Sequence, residues 1–200
     1  MAEPRRRRAA TEEKLTRVLD GAEQLMLDEG YAAVTSRNVA ARAGIQAPLV
    51  HYYFATIDDL FVALVRRRSV RNVERMAAAL ASDEPLRSWW DLASDPRGTA
   101  LFIELLAAAN HRPALKAEVG EVAREVRRVQ VEVLDRILPE YGLDPTELAP
   151  ALIAAAMQGL ALAVVADEVA GYDTRPDEAR AAMERFVARL EERRRSPERS

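Results

Sequence analysis

The stretch SRNVAARAGIQAPLVHYYF, residues 36–54, constrains this chain most. It reads as two short helices joined by the glycine-containing turn AGIQ, the pattern of a helix-turn-helix. Thr35 is placed to cap the first helix, which ends at Gly44; the second runs from about Ala47 to Tyr53. In such a motif the second helix lies in the DNA major groove, with its N-terminal residues at base edges. That explains four rings, His51, Tyr52, Tyr53 and Phe54, in so short a segment. Helical spacing puts Val50, Tyr53 and Phe54 on an inner face with Val39 and Leu60. It leaves Gln46, Ala47, Pro48, His51 and Tyr52 outward, where a tyrosine hydroxyl or histidine nitrogen can donate to phosphate.

The rest of the chain is helical in pattern, and no segment alternates with period two for long. Leu15, Val18, Leu19, Ala22, Leu25 and Met26 form one stripe, stopped by Gly30. Thr56 caps a helix with Asp58 and Asp59 in its first turn, running to about Leu80. Prolines mark later starts, near 85, 96 and 113. A strong start is expected at Asp144-Pro145, with Glu147 closing a capping box and Pro150 inside that helix as a possible kink. A last helix carries Ala179, Ala182, Met183, Phe186, Val187 and Leu190 on one face, and the tail after it looks frayed. The expectation is an all-α chain of about nine helices.

Composition narrows the function classes. Two hundred residues, 49% apolar and 30% charged, suffice for a core. With no cysteine, disulfides and cysteine zinc sites are excluded, which fits a reducing cytoplasm. The charged N-terminus does not read as a secretory signal. The apolar run 151–166 is short for a membrane span and reads as a helix buried in protein, so no membrane partner is expected. Residues 1–75 hold 13 Arg and Lys against 10 Asp and Glu, although the whole chain carries −3; a basic N-terminal part on an acidic body hints at a polyanion partner. No nucleophile–base set, Gly-rich phosphate loop or histidine pair at metal spacing occurs, so neither an enzyme nor a cofactor is expected.

GYAAVTSRNVAARAGIQAPLVHYYFATIDDLFVAL, residues 30–64, resembles the signature of the TetR family of transcriptional regulators. The matching positions are Gly30, Thr35, Val39, Ala40, Ala43, Gly44, Ile45, Tyr53, Phe54, Asp59 and Leu60. The chain departs from the pattern at Gln46, Pro48 and Leu49, at His51 where a tyrosine is usual, and at Ile57 where a lysine is usual. The resemblance implies a DNA-binding domain over 10–55 and a regulatory domain over 56–200 for ligand binding and dimerisation. It implies a cytoplasmic homodimer that represses from a near-palindromic double-stranded operator and is released by a small-molecule effector. The alternative is a helical dimeric module that binds a small molecule or protein without specific operator recognition.

Thr35, Arg37, Gln46, Ala47, Pro48, His51 and Tyr52 form the expected DNA-facing set, while Arg42 is balanced between phosphate contact and plain exposure. Arg5–Arg8 reads as a minor-groove arm or a solvated tail, and the arginines of 66–71 as a solvated helix face. Trp89, Phe102, Asn110, Met157 and Gln158 are candidates for an effector pocket, against plain core packing; of the adjacent Trp89 and Trp90 only one is expected to face it. His111, beside Pro113, reads as a helix-terminal residue. The 151–166 helix is apolar round most of its circumference, too much for one neighbour, and its small residues permit close approach. With the last helix it suits a four-helix dimer interface through Leu160, Val164, Met183, Phe186, Val187 and Leu190.

Overall fold

The structure, a computed structural model, describes residues 3–171 and 176–196, apart from the side chains of 3–10, 168–170 and 176. Among them are nine α-helices and no strand: α1 Glu3–Glu29, α2 Ser36–Ala43, α3 Ala47–Tyr53, α4 Ile57–Leu80, α5 Pro85–Ala93, α6 Pro96–Ala109, α7 Pro113–Ile137, α8 Pro150–Ala170 and α9 Pro176–Arg195. Short 3-10 turns cover Tyr31–Ala33 and Leu138–Tyr141. The all-α expectation therefore holds.

The chain forms two compact units, one of residues 1–69 with 100–122 and one of 70–99 with 123–200. In the first, Val18, Ala22, Leu25 and Met26 of α1 close over Val39 and Ala43 of α2, Val50 and Phe54 beside them, and Leu60, Phe61 and Leu64 of α4. Leu101, Leu105, Ala108 and Leu115 complete that core. Polar clamps tie the same segment down. Glu104 accepts the backbone N–H of Tyr31 at 2.7 Å. Arg112 pairs with Asp58 at 3.0 Å and lies over the rings of Phe61 and Tyr31. Arg66 forms a two-pronged pair with Glu118, whose carboxyl it holds below the usual range.

The second unit packs Met76, Leu80, Trp89, Trp90, Leu134, Leu138, Tyr141, Met157 and Val187 together. Its polar anchor is Glu191, 1% exposed on α9. Helix α5 starts with Pro85 and has no side-chain cap, so its first amides need an acceptor from elsewhere. Glu191 supplies one, accepting from the N–H groups of Leu86 at 2.9 Å and Arg87 at 3.2 Å. A carboxylate at that helix end also sits where the helix dipole favours negative charge. The Tyr141 hydroxyl donates to the same carboxylate at 3.0 Å; its burial and that charge push its pKa up.

Four local expectations need correction. The Asp144-Pro145 start does not nucleate a helix. Asp144 instead accepts from the N–H of Thr146 at 2.8 Å, an Asx turn, and α8 starts at Pro150. Pro150 is thus a first-turn residue and not a kink, because it lacks the N–H that a helix running through it would need. The C-terminal tail, expected to fray, is helical to Arg195, with Arg194 paired to Glu140 at 2.8 Å and Arg195 to Glu84, while 197–200 lie outside the described residues. The 66–71 arginines are not all solvated: Arg67 meets Asp20 at 2.6 Å and Glu23 at 3.1 Å. The backbone of 5–8 lies in α1; whether that arm meets DNA falls on side chains outside the described ones.

Glu191→Ala would strand two helix amides and a buried hydroxyl, and is expected to cost about 3 kcal/mol in chemical denaturation. Glu191→Gln should cost less, since its amide oxygen still accepts from Leu86. A Glu191→Ala protein as stable as the wild type would remove this anchor from the fold.

Candidate nucleic-acid interface

The turn between α2 and α3 sets the geometry. The Thr35 hydroxyl accepts from the N–H of Asn38 at 3.2 Å and starts α2. Gly44, at φ +64, ends it: its N–H donates to Ala41 at 3.2 Å and that of Ile45 to Ala40 at 3.0 Å. This is a Schellman motif, which turns the chain sharply while satisfying the last carbonyls. Helix α3 has Gln46 at its N-cap without a side-chain bond, and Pro48 in its first turn, where a missing N–H costs nothing. Thr56 and Asp59 then bond reciprocally, Asp59 N–H to the Thr56 hydroxyl at 3.1 Å and Thr56 N–H to the Asp59 carboxylate at 2.9 Å. The axes of α3 and α4 meet at 67°.

Inner and outer faces of α3 fall as the spacing indicates. Val50 and Phe54 are buried and Tyr53 is half-buried against the same core. Gln46, Pro48, His51 and Tyr52 are exposed, Tyr52 by 78%. Ala47 is the exception, half-buried and packed on the core. Pro48, His51 and Tyr52 stand at i, i+3 and i+4, one outward patch. The Tyr52 ring is propped edge-on by Tyr53, centroids 5.4 Å apart. Thr35 at the N-cap of α2 and Arg37 in its first turn are exposed. Arg42 is engaged by Asp28 at 2.6 Å and Glu29 at 2.9 Å, and the Asp28 hydrogen bond raises its pKa further.

The other candidates are scattered. Trp89 and Met157 share the core of the second unit, and Gln158 is half-buried on its α8. Phe102 and Asn110 belong to the first unit, half-buried and exposed respectively. Both Trp89 and Trp90 are buried, and the Trp90 indole N–H has no acceptor among the described residues. His111 lies exposed in the turn after α6. An open groove of about 730 Å³ runs along α7 past Arg124, Arg127, Val131 and Asp135, and none of the five candidates lines it. Among the described residues no three His, Cys, Asp or Glu stand together as a metal site.

For the interface set, Val164 and Val187 are buried within the chain itself, and Leu160, Met183 and Leu190 are half-buried against its core. Val164 and Val187 have little surface left for another chain. Phe186 is 48% exposed. Helix α8 has two apolar faces: Ala154, Met157, Ala161, Val164 and Val165 point inward, while Leu152, Ala155, Ala156, Gly159, Ala163 and Ala166 form the exposed stripe opposite. The small residues and the need for a second neighbour are legible in the sequence; which side stays exposed is not, because both faces are apolar and only the 3.6 period separates them. By length and composition Pro150–Asp167 could cross a membrane, against the reading of this run as too short, and only 33% of it is buried in the chain.

Residues 18–64 match the bacterial regulatory proteins of the tetR family, and 89–191 the C-terminal region of BetI-type transcriptional repressors. An HTH-type transcriptional regulator from the dhlA 5′ region of Xanthobacter autotrophicus is 30% identical, over 80% of this chain and 77% of its own. A TetR-family structure from Streptomyces coelicolor is 26% identical, with a TM-score of 0.61 over 88% of this chain and 97% of that one. A transcriptional regulator from Saccharomonospora viridis, solved with choline, shares the fold at 16% identity and a TM-score of 0.69, over 88% of this chain and 96% of that one. With an exposed recognition helix locked onto its core and both regions matched, the chain belongs to the TetR family of DNA-binding transcriptional regulators.

Proposed function

We propose that the chain is a homodimeric repressor that reads a near-palindromic operator and is released by a small molecule. The outward patch of Pro48, His51 and Tyr52 carries the operator reading, because it is held on a core-anchored helix and uses no side chain that the fold needs. Gln46 and Arg37, both exposed, extend it to neighbouring bases and phosphates, with Thr35 at the start of α2. The functional division is a DNA-binding domain over 10–55 and a regulatory domain over 56–200. An operator-binding protein works where the chromosome is, in the cytoplasm.

The second copy is accommodated by the outer stripe of α8 together with Ala182 and Phe186 of α9. A Cβ on Gly159 would meet nothing within 4 Å of its own chain. A mid-helix glycine costs about 1 kcal/mol relative to alanine, so here its value is the close approach it allows a second helix. Val164 and Val187 support this surface from beneath. For the effector, the buried Trp90 N–H without an acceptor supports a ligand with a hydrogen-bond acceptor, taken into the second unit near Trp89, Met157 and Gln158. Such a ligand would favour one of two spacings of the DNA-reading heads, by differential affinity for the two states.

Selection of bound duplexes from a random pool tests the whole reading. Enrichment of one palindrome is expected; no enrichment, with only weak and salt-sensitive binding, would favour a binding module without an operator. Choline, held by the structural relative, is the first compound to add to the selected duplex. Tyr52→Ala should weaken that duplex by about 1–3 kcal/mol and leave the dimer intact. Phe186→Glu should give a monomer in sedimentation, with helix content unchanged, since it places a charge in a surface that must dehydrate. A Phe186→Glu dimer would move the interface elsewhere.

A further inference from the structure

Arg17 lies on α1, exposed, one position before the buried Val18 and Leu19. Its Nη2 donates to the carbonyl of Ala43 at 2.5 Å and to that of Gly44 at 3.2 Å. These are the last carbonyl of α2 and the carbonyl of the turn residue itself. The Schellman bonds satisfy Ala40 and Ala41 but not these two. A guanidinium there meets both the orphan carbonyls and the negative end of the helix dipole.

The approach that makes this possible is built in one turn further on. Gly21 stands at i+4 from Arg17, on the same side of α1. A Cβ on Gly21 would come within 3.3 Å of the Ala43 amide nitrogen and 3.5 Å of the Ala43 and Arg42 Cβ atoms. Glycine therefore lets α1 approach the C-terminal end of α2 closely. Arg17 then reaches across the turn that leads into α3.

The geometry points to Arg17 as a positioning residue for operator recognition: it clips the α2–α3 turn to α1 and so fixes the direction in which the recognition helix leaves. Core packing and this clip then set the pose of α3. Val50 and Phe54 hold its body, and Arg17 holds its entry. Two residues, Ile45 and Gln46, separate the clipped carbonyl from the start of α3, so freedom at Gly44 passes directly to Pro48, His51 and Tyr52. The inference rests on the operator reading above.

Arg17→Met keeps the stem and removes the donors. Two measurements on the full chain decide the matter. The first is amide exchange of Gly44, Ile45 and Leu49 in the free protein, expected to quicken about tenfold while α1 core amides keep their protection. The second is affinity for the duplex selected by the wild type and for a scrambled duplex of equal length, each at two salt concentrations. A positioning residue lowers the selected-duplex affinity about tenfold and leaves the scrambled duplex and its salt slope unchanged. Equal losses on both duplexes, with the salt slope falling by about one, would make Arg17 a phosphate contact and overturn the assignment. Unchanged exchange would overturn it too, whatever the affinities do. Should the wild type enrich no duplex, the operator reading fails while the exchange arm still decides whether Arg17 holds the turn.

Discussion

Gly44 is held at φ +64, and the exit of the recognition helix follows from that one backbone conformation. An ordinary L-residue there would cost about 1–2 kcal/mol, enough to favour a different exit from α2. The turn it makes returns the Ile45 amide to Ala40 and brings Val50 and Phe54 onto the shared core. Helical rotation of 100° per residue does the rest. With Val50 and Phe54 inward, Pro48, His51 and Tyr52 have to be outward. A register slip of one residue would bury a different trio and expose the core ring, so the reading face and the folding core specify each other.

Much of this was legible from sequence because its causes are local. Thr35, Gly44 and the Thr56–Asp59 box each act within five residues, and the apolar spacing of α1 to α4 leaves one inner face. The second unit was harder. Asp144 and Pro145 carry the local signals of a helix start, whereas α8 starts at Pro150 behind Ala149, which offers no side-chain cap, so the stronger local signal marks a turn. The cap of α5 could not be seen at all. Glu191 lies about 105 residues from Leu86, and among many glutamates on an amphipathic helix only the tertiary fold singles it out.

Helix α8 shows a different limit. Hydrophobic periodicity finds the buried face of a helix by contrast with a polar one. Leu152 and Val164 are equally apolar, and only packing reveals that Val164 turns inward while Leu152 stays 57% exposed. A helix apolar all round signals two partners, but not which side each takes. Alanines stand on both sides, Ala154 and Ala161 inward, so size alone does not decide; the larger Met157, Val164 and Val165 fall on the inner side, and the open side is alanine and glycine apart from Leu152.

Four arginines of the first unit look inward in the same way. Arg42 serves Asp28 and Glu29, Arg67 serves Asp20 and Glu23, Arg66 serves Glu118, and Arg112 serves Asp58. These four arginines are therefore engaged by the protein's own carboxylates, and α3 itself contains neither lysine nor arginine. A face of rings, proline and one amide contributes less to general attraction for phosphate than a basic helix would. What it offers is shape and directed hydrogen bonds, and those discriminate only if the helix that carries them is held still. The carboxylate pairs and the closed apolar core provide that stillness.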